Sequence, residues 1–178
     1  MLNVTKTQTQ MFSKALVSIK YSQLIINDLE KLPTVSKLET KKSYLLNSYI
    51  MNLAASWQTF IEGLVYQTVE EISTGSNEVV KTILSKNLND EIKRFNNPDC
   101  GNIDTLFENT VGIKKITHLL TEHIKTREQI TLFMKIRHRI AHKGYASVPL
   151  TIEKNFEYMN LLYDVAGQLE VITKNYTQ

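Results

Sequence analysis

Toward the carboxyl end the chain reads KIRHRIAHKG, from Lys135 to Gly144. Lys135, Arg137, Arg139 and Lys143 supply cations, His138 and His142 supply imidazoles, and no acid falls among them. Arginine presents a planar, permanently charged fork that matches a phosphate. Histidine exchanges protons near neutral pH, as a general acid or base must. These residue types suit chemistry at a phosphodiester. RNA can be cut without a metal when its 2′-hydroxyl attacks the adjacent phosphate. That reaction needs a base for the hydroxyl, an acid for the departing 5′-oxygen and positive charge for the phosphorane.

Spacing limits how the side chains can work. Arg137 and His142 are five residues apart, so on a straight helix the second is turned by about 140° from the first. One helix does not bring both onto one phosphate. Either the helix ends near His142 and lets it swing, as Gly144 permits, or a second copy completes the site. Across a twofold axis, two protomers offer a pair of each residue. Arg137 and His142 are the candidate catalytic residues, and Arg139 and Lys143 are candidates to contact RNA. His138 and His142 are four apart, a spacing that also suits a metal. Cys100, His118 and His123 stand at no recognised ligand spacing, so neither a metal nor a cofactor is expected.

The surrounding charge fits an anionic partner. Net charge is +3, from 21 Lys and Arg and 18 Asp and Glu. Between Lys114 and Lys143 stand eight Lys or Arg against Glu122 and Glu128, a net of +6, which leaves −3 for the remainder. Such a basic stretch on a mildly acidic chain points to a phosphate-bearing partner. Composition excludes other classes. A single cysteine, Cys100, forbids an internal disulfide and fits a reducing compartment. No signal peptide is readable and no apolar run approaches the roughly 18 residues of a membrane span. The expected setting is the cytoplasm.

Helical periodicity runs through the whole chain. With 178 residues, only six glycines and three prolines, one all-α domain over 1–178 is expected. Phe12, Ala15, Leu16, Ile19, Ile25, Ile26 and Leu29 predict a helix over 10–31, stopped at Leu32-Pro33-Thr34. A longer stripe from Tyr44 to Val69, including Trp57 as a core residue, predicts one unbroken helix over about 38–72. Ser76 or Asn77 caps a third helix near 78–94, and Asn96–Asn102 forms a loop. A short helix over Ile103–Asn109 follows, with Asp104 near its positive end, then a segment near Lys114–Ile124. The basic helix starts near Thr126 and buries Ile130, Phe133, Met134, Ile136, Ile140 and Ala141. Gly144 ends it. Pro149 opens a last helix over about 150–174, with a stripe from Phe156 through Tyr163 to Leu169. The expected architecture is an antiparallel helical bundle with one long central helix and extra short ones.

These residues carry a resemblance. KIRHRIAHKG resembles the R-x(4–6)-H signature of the HEPN superfamily, in the form where a polar residue follows the arginine and Ala-His precedes a glycine. Ala55–Glu62 on the long helix is similar to the tryptophan-bearing segment of RiboL-PSP-like HEPN domains. Asp104–Phe107, followed by Val111-Gly112-Ile113, resembles the stretch upstream of their motif helix. The resemblance covers about residues 40–165, and residues 1–35 match nothing. It implies a helical domain that dimerises through its motif helices. In many members it further implies a metal-independent endoribonuclease that leaves 2′,3′-cyclic phosphate ends and serves toxin–antitoxin or antiviral defence systems. By position, Arg137 and His142 would be catalytic, and His138 would orient Arg137 or touch the phosphate. Glu62 could be an acid that supports Arg137, with a solvated glutamate as the plainer reading. Expected partners are RNA, a second copy, and an antitoxin or neighbouring defence protein. The alternative is a catalytically silent HEPN module that binds RNA, a nucleotide or a protein.

Overall fold

A computed structural model describes residues 6–32, 34 and 36–177. Six α-helices and a 3-10 turn follow in order: α1 Gln8–Lys31, α2 Leu38–Ser73, α3 Glu78–Arg94, α4 Cys100–Val111, the 3-10 turn Ile116–Leu119, α5 His123–Lys143 and α6 Ile152–Thr177. Among the described residues there is no strand. The expected all-α bundle is the observed one. Pro33, expected to stop the first helix, lies outside the described residues.

Local chemistry explains where the helices begin and end. Thr7 and Gln10 form a reciprocal capping box at the start of α1. The Asn77 and Asp99 side chains accept from Val80 N and Asn102 N, so they cap α3 and α4. Gly144 closes α5 at φ 79°, in the left-handed region that costs glycine little. Two boundaries differ from expectation. α4 is a turn longer, because Asp99 starts it earlier than Ile103. The segment near Lys114–Ile124 holds only a 3-10 turn before α5 starts at His123. Lys115 and Glu122, at φ 51° and φ 48°, break the chain direction on either side of that turn.

The long helix α2 is the axis of the molecule, and α1, α3, α4, α5 and α6 all pack on it. Leu53, Trp57, Ile61 and Val65 are sealed from solvent along it. Trp57 lies in the core as expected, stacked on Phe60 with ring centroids 5.5 Å apart. Its Nε1 donates to Pro98 O at 3.0 Å, which satisfies the one polar atom it buries and pins the loop before α4. Removing a side chain of that size from a core costs about 3–5 kcal/mol. α1 approaches α2 closely at Gly63, where a Cβ would meet the Gln8 side-chain amide. Several expected core positions lie outside. Ile25, Tyr44, Ala141 and Tyr163 are exposed, because the bundle leaves those helix flanks uncovered.

Cross-helix contacts give the directions. Phe12 meets Phe60 and Glu30 meets Lys42, so α1 runs antiparallel to α2. Thr9 meets Glu170 and Lys20 lies over Phe156, so α1 is antiparallel to α6 as well. Two helices antiparallel to a third are parallel to each other. Asn155 accordingly donates to Leu46 O, Tyr49 to Met159 Sδ, and Thr177 to Glu71. The expected antiparallel order holds for α1 against its neighbours, while α2 and α6 run parallel.

Two buried groups make this packing testable. Burial pushes the Cys100 thiol up to about 11, with the nearby Arg127 charge only partly opposing it. Since the thiolate is the nucleophile, Cys100 in the folded protein should react with iodoacetamide at pH 8 about 100-fold more slowly than in denaturant. Glu170 is 5% exposed and accepts from Thr9 N at 3.1 Å and Lys174 Nζ at 2.8 Å. Burial raises its pKa, but the bonds from Lys174 and Thr9 outweigh that and leave it below the usual carboxylate range. The stabilisation is therefore present above the ordinary glutamate value of about 4.3 and is lost as pH falls through the lower folded value. Glu170→Gln should cost about 1–2 kcal/mol at pH 7 in urea unfolding and should flatten the loss of stability in acid.

Candidate nucleic-acid interface

The basic motif sits on the second half of α5, and the core decides which way its side chains face. Thr126, Ile130, Phe133, Met134, Ile136 and Ile140 are buried. They fix one side of the helix against α2, α4, α6 and the 3-10 turn. Farther upstream the helix is tied down by a polar hub. Asp104 of α4 accepts from Thr117 N at 2.8 Å, Thr117 Oγ1 at 3.0 Å and Arg127 Nη1 at 2.7 Å. Arg127 also donates to Thr117 Oγ1. The carboxylate joins α4, the 3-10 turn and α5 in one bonded unit. Asp104 therefore has a bridging role one turn inside α4, where the sequence suggested a charge at the helix start.

With that side fixed, the motif residues take defined places. His138 and His142 are exposed, and their ring centroids lie 4.2 Å apart. His142 and Lys143 occupy the last turn, where unpaired carbonyls favour positive charge. Arg137 is half-buried on the core side of the helix and has no hydrogen-bond or ion-pair partner among the described residues. Arg139 lies over the Tyr145 ring, 5.1 Å from its centroid, with Nη2 3.5 Å from the hydroxyl. Lys143 is exposed. Glu62 accepts from Gln58 Nε2 at 2.8 Å, and the same amide donates to Phe95 O at 3.2 Å. No bond joins Glu62 to Arg137. The structure thus brings together His138 with His142 and Arg139 with Tyr145, and holds Arg137 and Glu62 apart from those pairs.

The helix end is uncovered on a second side as well. Arg137 and Ala141 continue the line of Ile130 and Met134 along α5, yet Ala141 is exposed. The bundle's cover ends before the helix does. Asn47 Nδ2 bonds Gly144 O at 3.4 Å, and Tyr44, one turn before Asn47 on α2, is 72% exposed beside that junction.

A further cluster was not legible from spacing. His118 and His123 lie with ring centroids 5.6 Å apart at the edge of a groove of about 530 Å³. Arg127 and Lys135 also line it. Their pairing depends on the turn at Glu122, and sequence spacing carries no signal for it. Among the described residues no group of three or more His, Cys, Asp or Glu side chains is disposed to hold a metal ion. No helix among them is long and apolar enough to cross a membrane.

A family model described as RiboL-PSP-HEPN matches residues 18–175. No curated protein and no solved structure matches the chain. The family match reaches beyond the 40–165 span carried by the motifs and takes in most of α1 and α6. With its helical bundle and its R-x4-H helix, the chain belongs to the RiboL-PSP-HEPN family.

Proposed function

We propose that the protein is a metal-independent endoribonuclease that works as a homodimer, with Arg137 and His142 of two protomers forming one site. The observation that carries this reading is the disposition of α5: an exposed His142 and, on another side of the helix, a half-buried Arg137 with no partner among the described residues. One protomer does not direct both onto a single phosphate. A second copy across a twofold axis would cover the Arg137–Ala141 face and set two arginines and two histidines around one scissile bond. The family's place within a superfamily of RNA-binding and nuclease proteins supports RNA as the ligand.

In this reading one His142 takes the proton from the 2′-hydroxyl, and O2′ forms a bond to phosphorus. The bond from phosphorus to O5′ breaks, and O5′ receives a proton from the other His142. The products are a 2′,3′-cyclic phosphate and a 5′-hydroxyl, and no water is consumed. The two Arg137 guanidinium groups stabilise charge on the phosphorane, where fixed cations act most strongly. His138, packed against His142, keeps that ring oriented, and Arg139 and Lys143 draw the RNA backbone toward the seam. Glu62, bonded to Gln58 on α2, takes no direct part in this step. A nuclease of this kind would serve as a toxin or antiviral effector and would need a restraining partner. Binding of RNA without turnover is the competing reading.

Purified protein should cut total cellular RNA in EDTA, leaving cyclic phosphate ends. Arg137→Ala and His142→Ala should each lower the rate by 100-fold or more. Intact RNA that the wild type nonetheless binds would sink the nuclease and leave the silent module. Subunit mixing tests the shared site. After exchange with an equal amount of His142→Ala protein, about one quarter of the dimers keep both histidines. Activity per wild-type chain should then halve. Unchanged activity per wild-type chain would show that each protomer works alone.

A further inference from the structure

The groove at the other end of α5 lies on the same exposed side of that helix as the motif. His123, Arg127, Thr131, Lys135, His138 and His142 follow one another in steps of three and four, so they lie along one helix face. From His123 to His142 that face is about 28 Å long. The groove holds about 530 Å³, within the range of nucleotide-sized sites. Its walls differ from the motif in kind. Ile124 is 67% exposed and Leu132 46%, both apolar, and the His118 and His123 rings stand beside them. Lys135 is exposed between the groove and the motif and has no ion-pair partner among the described residues. Arg127 is engaged by Asp104 at 2.7 Å and serves as a wall rather than as free charge. Glu128 lines the groove as well, and Asp104 lies 3.9 Å from His118, so the floor is nearly neutral and only the Lys135 side is cationic.

That arrangement suits single-stranded RNA and not a duplex backbone. Flat rings and apolar side chains accept an unstacked base, while a lone cation takes the phosphate that follows it. Resting on the nuclease reading of the motif, we propose that this groove is a second RNA subsite, which seats a base several nucleotides from the cut while Lys135 holds the intervening backbone. RNA running along α5 would then be held at both ends of the helix face. The motif supplies the chemistry and the groove supplies affinity and reach.

The test uses full-length protein carrying His142→Ala and fluorescently labelled single-stranded RNA, read by anisotropy. In this background, RNA of about ten nucleotides should bind at least tenfold more tightly than a tetranucleotide, which is too short to reach from the motif to the groove. Lys135→Ala and, separately, His123→Ala should erase most of that length gain. Lys135→Ala should also lower the slope of log affinity against log salt by about 0.7. Lys86→Ala, at an exposed site on α3, is the control expected to keep the gain. Thermal melts check that each variant folds. If the gain survives both groove variants while wild-type protein cuts RNA, the subsite is overturned and the nuclease stands. If the gain is groove-dependent but wild type does not cut, the subsite stands and the nuclease falls. Protein that neither binds nor cuts RNA overturns both.

Discussion

A helix that is apolar over nearly half of its circumference has to be covered along that whole arc, and α2 is such a helix. Tyr49, Ile50, Leu53, Trp57, Ile61, Leu64 and Val65 do not fall on one narrow stripe, and each is buried. The other five helices are the enclosure. This constraint sets where everything else lies. α5 packs on α2 and buries Phe133, Ile136 and Ile140, so His138 and His142 are turned to solvent. The orientation of the motif follows from where the core draws the helix.

Burial alone would leave the helices free to slide, because apolar contact is nondirectional. Directional bonds remove that freedom at a few points. Trp57 Nε1 reaches Pro98 O, Thr9 N reaches Glu170, and Asp104 gathers Thr117 and Arg127. Each links elements far apart in the chain and sits at the margin of the core, where a lost partner would leave a charged or polar group exposed to little water. Asp104 anchors the first half of α5 and with it the direction of the second. The same hub shapes the groove whose far wall is Arg127.

The motif helix therefore has two characters along its length. Near Ile130 and Met134 it is covered by the bundle; near Arg137 and Ala141 the cover stops. There Arg137 is half-buried with no hydrogen-bond or ion-pair partner among the described residues, and Ala141, one turn further on, is exposed. A guanidinium there is matched by a carboxylate or a phosphate, and the α2 carboxylate considered as its support, Glu62, accepts instead from Gln58.

Much was legible in the residues themselves. The long apolar stripes specified α1, α2, α5 and α6, Ser76-Asn77 marked a cap, and Gly144 marked a stop, because each of these is a local property of backbone and period. The angle between Arg137 and His142 also follows from their spacing and the helical pitch. Tertiary structure decided what period cannot carry. A stripe shows that a helix has an apolar side but not which neighbours cover it or where their cover ends, so Tyr44, Tyr163 and Ala141 proved exposed. Nor does it show that α2 and α6 run parallel, which depends on α1 lying antiparallel to both. Asp104 finds Arg127 across 23 positions, and His118 meets His123 through two left-handed residues flanking a 3-10 turn. Those pairings arise only when distant segments are packed together, and local spacing holds no trace of them.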